Sequence, residues 1–400
     1  MPRFGVNYTP RRRWFHAWLD FDPDETRADL LQIAALGLDH IRVFPLWPLL
    51  QPNRGTVREA AVAQLLALVD VAADCGLDVA VDAIQGHLSS FEFYPSWTQT
   101  RHARNIFTDP DVAAAQVELL RRLGASLGTR RNVLCLQLGN ELNNLVGDNP
   151  ATVTQIDTWL DTLLDAATAA FPGRLVTHSA YDAAWYDDGH PFTPQASARK
   201  GALTTVHPWV FTGDCARRYG ALSVPATHLA EYGVELAKAY ADRPHRMVWV
   251  QEVGAPQPHV PVADAPEFAR RTVHNALDCA GVWGVTWWCS HDVDRGLLDF
   301  PELEHTLGLI DSTGAVKPIG HAIADTVARL RERPPPAART TALVLDCDHA
   351  NRSVSGPGGR YFEAWMGLRE QGERPAVVRA EHAGDGDYLA ARGVERLLWP

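Results

Sequence analysis

The sequence predicts an α/β fold: a closed (β/α)8 barrel carrying a small C-terminal α/β (βαβαβ) appendage. Three observations lead there. Eight short runs rich in Val, Ile, Leu and Trp recur between residues 3 and 289 without polar alternation, as expected of parallel strands buried on both faces. Amphipathic stretches separate these runs, which is the pattern of repeated βα units. A chain of 400 residues also suits a barrel of roughly 250 residues with elaborated loops and an extra unit. No Gly-x-Gly-x-x-Gly follows the first run, so an open dinucleotide-binding sheet is not indicated.

In chain order, the spacing places strands at 3–8, 39–45, 77–84, 133–139, 174–180, 202–207, 247–252 and 283–289. Helices fill the gaps, and those at 24–37 and 112–128 begin among acids and end on glycine. The barrel is expected over 1–333. Consecutive prolines cannot continue a helix, so Pro334-Pro-Pro336 opens a linker over 334–340. Beyond it, residues 341–400 read as strand 341–346, helix 359–372, strand 376–380, helix 388–393 and strand 394–399. A unit of about 60 residues is marginal alone. It is expected to dock on the barrel or to join two copies of the chain as a homo-oligomer, and to serve architecture instead of chemistry.

Composition narrows the function. With 46% hydrophobic and 21% charged residues the chain is globular. There are 37 basic against 48 acidic residues, net charge −11, and no stretch gathers a basic stripe, so nucleic acid is not expected as a partner. Lys200, Lys238 and Lys317 are the only lysines, which disfavours Schiff-base chemistry at a strand end. No apolar run reaches about 18 residues, so no membrane span is expected. Met1 to Tyr8 runs straight into a strand pattern with no signal-peptide features, and Cys75, Cys135, Cys215, Cys279, Cys289 and Cys347 lie far apart with no Cys-x-x-Cys. Both features point to reduced core thiols in a cytoplasmic protein.

Reacting groups of (β/α)8 enzymes sit at the C-terminal ends of the strands. The fourth run, Val133-Leu-Cys-Leu-Gln-Leu-Gly-Asn-Glu141, and the seventh, Met247-Val-Trp-Val-Gln-Glu252, each deliver a carboxylate to that rim. Strands four and seven lie well apart around the ring, so Glu141 and Glu252 can face each other across its mouth. A facing carboxyl pair suits glycoside hydrolysis, in which one group protonates the leaving oxygen and the other attacks or stabilises the anomeric centre. Either glutamate alone could instead pair with Arg42 as a structural ion pair. Arg42 ends strand two, His87 follows strand three, and His207 and Trp209 follow strand six, so each brings a donor to the same rim. Arg42 can keep a nucleophilic carboxylate ionised, and Asn140 can bond a sugar 2-hydroxyl.

The sequence holds 13 tryptophans. Trp14, Trp18, Trp47, Trp97, Trp185, Trp209 and Trp288 fall in or beside rim segments, where their rings can stack on pyranose faces. Trp288 is the expected floor of the sugar site, with Trp14 and Trp47 among its walls. Trp249, Trp283 and Trp287 read as packing.

On these residues the chain resembles glycoside hydrolase family 5 of the clan A retaining (β/α)8 hydrolases, over residues 1 to about 330. The resemblance implies Glu141 as acid/base, Glu252 as nucleophile, and Arg42, His87, His207 and Trp288 in the family's remaining positions, with no cofactor and no metal. The family's His-x-Tyr on strand six reads His207-Pro-Trp209 here, which leaves the Trp209 indole as the replacement donor near the nucleophile. Phe4-Gly-Val-Asn-Tyr-Thr-Pro10, Trp14-Phe-His-Ala-Trp18, Phe44-Pro-Leu-Trp-Pro-Leu-Leu-Gln-Pro52 and Gln85-Gly-His-Leu-Ser-Ser90 are similar to a bacterial intracellular branch, subfamily 18, associated with exo-acting β-mannosidases. The branch implies a small oligosaccharide substrate bearing a terminal β-1,4-linked mannose. Another retaining β-glycosidase on the same barrel, a β-glucosidase or an endo-β-mannanase, is the alternative within the class, and two other classes compete: a metal-dependent barrel hydrolase using His87, His207 and His291, and a sugar-binding module without turnover.

Overall fold

A computed structural model describes residues 1–101 and 103–400. Eight parallel strands form the barrel: β1 (Arg3–Asn7), β2 (His40–Val43), β3 (Asp78–Asp82), β4 (Val133–Gln137), β5 (Leu175–Thr177), β6 (Thr204–Val206), β7 (Val248–Val250) and β8 (Val282–Trp287). Their order is β5-β4-β3-β2-β1-β8-β7-β6, with Asn7 beside Arg42 and Val6 beside Trp287 in register. The two free edges meet where the Ala202 N–H donates to the Val176 carbonyl at 2.8 Å and the Thr177 hydroxyl to the Leu203 carbonyl at 2.9 Å. The ladders stop short of the apolar runs that predicted them. Leu138 and Val253, just past the ladders, are still buried and keep single backbone bonds to the neighbouring strand ends, Leu138 to Thr177 at 2.9 Å and Trp288 to Val253 at 2.9 Å.

Helices α1 (Pro23–Ala35), α2 (Glu59–Asp74), α3 (Pro110–Leu127), α4 (Val153–Ala170), α5 (Pro194–Arg199), α6 (Leu229–Tyr240), α7 (Ala265–Ala276) and α8 (Pro318–Arg331) follow the strands in turn. Local chemistry sets their starts. Asp22 and Asp109 cap α1 and α3 by accepting two backbone N–H groups each, with proline at the next position, where a missing N–H costs nothing. At the base of the barrel, Thr286 Oγ1 accepts from the Trp249 indole at 2.7 Å and lies 2.8 Å from His40 Nε2, while the Trp249 and Trp283 rings meet at 4.5 Å. These tryptophans pack, as expected, and so does the buried Trp287.

After an irregular stretch, β9 (Thr341–Leu345), α9 (Arg360–Glu370), β10 (Ala376–Arg379), α10 (Gly386–Arg392) and β11 (Arg396–Leu398) form a parallel sheet ordered β10-β9-β11. Its interior is continuous with that of the barrel: Tyr232 on α6 meets Phe362 and Trp365 edge-on at 5.3 and 5.2 Å. Arg352, fully buried, donates to the carbonyls of Ala184 and Phe192. Arg339 reaches Glu231 on α6 at 2.5 Å. No helix of the described residues is long and apolar enough to cross a membrane.

Candidate active site

Beyond β4 the chain passes Leu138 and Gly139 to Asn140 and Glu141. A Cβ on Gly139 would stand 2.0 Å from the Ile84 carbonyl oxygen, so only glycine lets the end of β4 pass the loop after β3. Glu141 itself is left-handed (φ 44°, ψ 41°), a conformation rare for residues with a side chain and concentrated at functional sites. Its N–H donates to Ser179 Oγ at 3.1 Å, which fixes this turn to the end of β5. Glu252 lies two residues beyond β7.

Arg42 is the hub. Its guanidinium, wholly buried, donates to Glu252 Oε1 at 2.7 Å, to Asp82 Oδ2 at 2.7 Å and to Asn140 Oδ1 at 2.6 Å, with a weaker bond to Asn7 at 3.2 Å. Asn140 in turn donates to the His87 carbonyl at 3.2 Å. Behind them Gln137 and Gln251 exchange a reciprocal amide pair at 2.9 and 2.8 Å, and Gln251 Oε1 lies 3.0 Å from His207 Nε2. A planar fork in this place orients two carboxylates at once, which a lysine could not do.

His207 Nδ1 lies 2.6 Å from Glu141 Oε1 and 3.5 Å from Glu252 Oε2. Burial opposes its protonation, but the charge of Glu252 and the hydrogen bond to Glu141 outweigh burial and raise its pKa. Burial likewise opposes ionisation of Glu141, and the same hydrogen bond overcomes it, holding this carboxyl below its ordinary value. Glu252 is pushed upward by burial, with the charge of Glu141 adding to that and His207 and Arg42 restraining it. The hydrogen bond to Glu141 thus favours the protonated imidazole and the ionised carboxylate together.

Glu141 and Glu252 open onto a cavity of about 350 Å³, also lined by His87, Asn140, Trp209, Trp288, Ser89, Ser90, Asn144, Tyr181, Phe211, Leu303, Glu304 and Leu307. Among the expected residues, Arg42 and His207 stand directly behind this lining. Trp288 supports it with its edge toward Trp209 at 6.3 Å, and Trp209 stacks on Phe211 at 5.0 Å. Trp14 and Trp47 do not line it, which corrects the expectation that their rings meet the sugar. Trp14 packs behind Trp288 at 6.2 Å and donates to Ser89 Oγ at 3.1 Å, while Trp47 is sealed against Trp97 and bonds Gln51 at 2.9 Å. The Trp209 indole makes no hydrogen bond to Glu252 among the described residues. His207, already facing Glu252 Oε2, stands in that place instead.

Three rim loops are joined by phenylalanines. Phe15 from the loop after β1, Phe91 and Phe93 from the loop after β3 and Phe300 from the loop after β8 form a ring cluster with centroids 4.8 to 5.3 Å apart around Phe15 and between Phe91 and Phe300. The sequence reading missed Asp82, Glu304, Tyr181 and Asn144. Asp82 carried a signal as the last residue of the run Asp78-Val-Ala-Val-Asp82; the others lie on loops with no periodicity.

His291 lies outside the cavity, bonded to Ser290 and within 3.2 Å of Gln32 Oε1, so the three histidines of the metal-dependent reading do not converge. Glu141, His207 and Glu252 do bring donor atoms within 4.8 Å of one another. Arg42, however, already sets a full positive charge 2.7 Å from Glu252, and a second cation there would be repelled.

A parallel barrel with two opposed rim carboxylates, one on an arginine and the other on a histidine, defines a glycoside hydrolase of the (β/α)8 class. No family profile and no curated protein matches the chain, but solved structures do. A Glu-to-Ala variant of GH5_18 from Streptomyces cattleya in complex with Manβ1-4GlcNAc is 57% identical over 100% of this chain and 99% of its own, with a TM-score of 0.98. A Glu-to-Ala variant of GH5_18 from Bifidobacterium longum subsp. longum, also with Manβ1-4GlcNAc, is 46% identical over 100% and 96%, with a TM-score of 0.96. An exo-β-1,4-mannosidase from an Opitutaceae bacterium shares the fold at 20% identity and a TM-score of 0.79, over 100% and 77%. The chain belongs to glycoside hydrolase family 5, subfamily 18, and is a glycoside hydrolase.

Proposed function

We propose that the protein is a retaining exo-acting β-mannosidase that releases terminal β-1,4-linked mannose from short oligosaccharides such as mannosyl-N-acetylglucosamine. The observation carrying this reading is the pair of carboxylate oxygens of Glu141 and Glu252 within 4.8 Å of each other in one pocket. That spacing suits double displacement, for which the two carboxyl groups stand about 5–5.5 Å apart, better than inversion, for which they stand about 6.5–9.5 Å apart. The Manβ1-4GlcNAc bound by the relatives supports the choice of sugar.

In the first step Glu252 attacks the anomeric carbon while the bond to the glycosidic oxygen breaks, and that oxygen takes the proton of the Glu141–His207 pair through Glu141. In the second step Glu141 removes a proton from water, the water oxygen bonds the same carbon, and Glu252 leaves. Arg42 holds Glu252 in line and disperses its charge. Asn140, itself fixed by Arg42 and the His87 carbonyl, meets the 2-hydroxyl. His87, Trp209 and Trp288 bound the sugar.

A cytoplasmic setting fits six cysteines that stand as free thiols. Hydrolysis of nitrophenyl β-mannoside, β-glucoside, β-galactoside and β-xyloside, with the product anomer followed by NMR, tests the proposal. The expected result is preference for the mannoside with β-mannose as first product. Equal kcat/KM on glucoside and mannoside, or α-mannose as first product, overturns it.

A further inference from the structure

Behind the two glutamates lies a pair of amides for which double displacement itself has no use. Gln137, the last residue of β4, and Gln251, the first residue after β7, are wholly buried and meet inside the barrel. An amide can be turned end for end at little steric cost, so its neighbours decide which end donates. Here one neighbour decides. Arg42 Nε stands 3.3 Å from a terminal atom of Gln137, and an arginine offers only donors, so that atom is the side-chain oxygen. The Gln137 nitrogen is thereby turned to Gln251, donating to its Oε1 at 2.9 Å, and the Gln251 nitrogen returns a bond to Gln137 Oε1 at 2.8 Å. With its nitrogen so engaged, Gln251 presents its oxygen to His207 Nε2 at 3.0 Å.

An oxygen at that distance in a buried site calls for a proton on Nε2, because two facing lone pairs shut off from water would leave both atoms unsatisfied. Among the described residues, Nε2 meets only this amide. Across the ring, Nδ1 lies 2.6 Å from Glu141 Oε1 and 3.5 Å from Glu252 Oε2.

We propose that Gln137 and Gln251 are positioning residues: they carry the donor polarity of Arg42 to His207 and hold its Nε2 protonated, so that the proton exchanged with Glu141 is always the one at Nδ1. The inference rests on Glu141 as the acid of the proposed double displacement and names what keeps that acid supplied. Before the first step the contact between Nδ1 and Glu141 holds one proton. Glu141 gives a proton to the glycosidic oxygen, the contact is left with none, and the proton that Glu141 takes from water in the second step restores it. Were the neutral ring protonated at Nδ1 instead, Nε2, turned away from the glutamates, would be the atom that titrates.

The test reads the ring directly. In enzyme labelled with ¹⁵N at histidine, above the pH at which His207 loses its charge, wild type should show a proton-bearing Nε2 and a bare Nδ1, the signals being assigned by their absence from His207→Gln. Gln251→Met removes the acceptor and should let the ring protonated at Nδ1 appear. Gln137→Met does not touch His207 but frees Gln251 to turn, so it should have the same effect, and it reads the relay even if Gln251→Met fails to fold. The pH profile gives a second readout. The charged groups around His207 are Glu141 after β4, Glu252 after β7, Asp82 on β3, Asp182 after β5 and Arg42 on β2, and every variant keeps them. Gln251→Met should move the alkaline limb of kcat/KM acidwards, because the imidazolium loses an acceptor. Gln251→Glu keeps the acceptor and adds a negative charge, so it should move the limb the other way, whereas a merely loosened site would shift both variants alike. The loss of kcat/KM in Gln251→Met should be about tenfold on an alkyl β-mannoside and smaller on a dinitrophenyl one. A wild-type ring protonated at Nδ1, or limbs that move together or not at all, overturn the proposal. If wild type prefers another glycoside, the mannosidase reading fails separately, and the spectrum of the free enzyme still decides the role of the two glutamines.

Discussion

Two buried charge clusters sit in this molecule, and they are balanced in opposite directions. At the rim, Glu141, Glu252 and Asp82 share one arginine, Arg42, and one histidine. At the seam with the appendage, Glu231 and Glu235 on α6 face Arg339, Arg369, Arg392 and Lys238. With cations in surplus, Glu235 is drawn down to about 2 against the burial that opposes it, and stays ionised at any working pH. At the rim, where cations are fewer, burial prevails at Glu252 and raises its carboxyl. The seam itself shows that number alone does not decide: Glu231, where burial outweighs Arg339 and Arg369, is raised while its neighbour Glu235 is lowered, so each carboxyl follows the balance of its own burial against the cations that touch it.

The largest effect expected is at the nucleophile. Glu252→Ala should lower kcat by roughly 10⁴-fold or more on every substrate. Glu141→Ala should spare a dinitrophenyl glycoside, whose leaving group needs no proton, and azide should restore its turnover by replacing base-activated water. Steady-state assays across leaving groups check this, and equal losses with no response to azide would reverse the assignment.

Replacing the hub of each cluster separates their purposes. Arg42→Met should cost about 10³-fold in kcat/KM and also stability, because Asp82 and Glu252 lose their only guanidinium. Arg339→Met should cost about 3 kcal/mol in denaturant unfolding, since it removes the one arginine that faces both buried acids and leaves Glu231 to Arg369 alone, while kcat stays at the wild-type value. A fall in kcat for the folded Arg339 variant would show that the joint reaches the site.

Acid should loosen the joint. Glu235 has a folded pKa of about 2 against an ordinary 4.5, so its contribution is complete above about 4.5 and disappears as the pH falls toward 2. The shift corresponds to about 3 kcal/mol. Unfolding free energies between pH 6 and 3 should fall less steeply in Glu235→Gln than in wild type. Smallest is the expected change at His207. His207→Gln removes the group whose raised pKa the two glutamates support, so the alkaline limb of the kcat/KM profile should move acidwards. An unmoved limb would mean that another group holds the proton.

Much of the barrel was legible because strands buried on both faces cannot hide their apolar runs, and the residue that follows such a run is a rim residue by construction. That is why Glu141, Glu252, Arg42 and Asn140 could be read. The same logic overextended strands such as 174–180, since apolar residues past the ladder are still buried, and apolar character does not mark where the ladder stops. Tryptophan carried the least information. A ring that packs behind the site, as Trp14 and Trp47 do, has the same composition signal as one that lines it. Glu304 was unreadable because it lies in a turn, where no periodicity points to the rim. The appendage showed its βαβαβ pattern, but the face by which it joins α6 depends on residues more than 100 positions apart, such as Arg339 and Glu231.

The phenylalanine cluster also ties three rim loops to one another. Phe15, Phe91 with Phe93, and Phe300 come from the loops after β1, β3 and β8 and pack with centroids 4.8 to 5.3 Å apart, so none of these loops can swing outward without breaking ring contacts made by the other two.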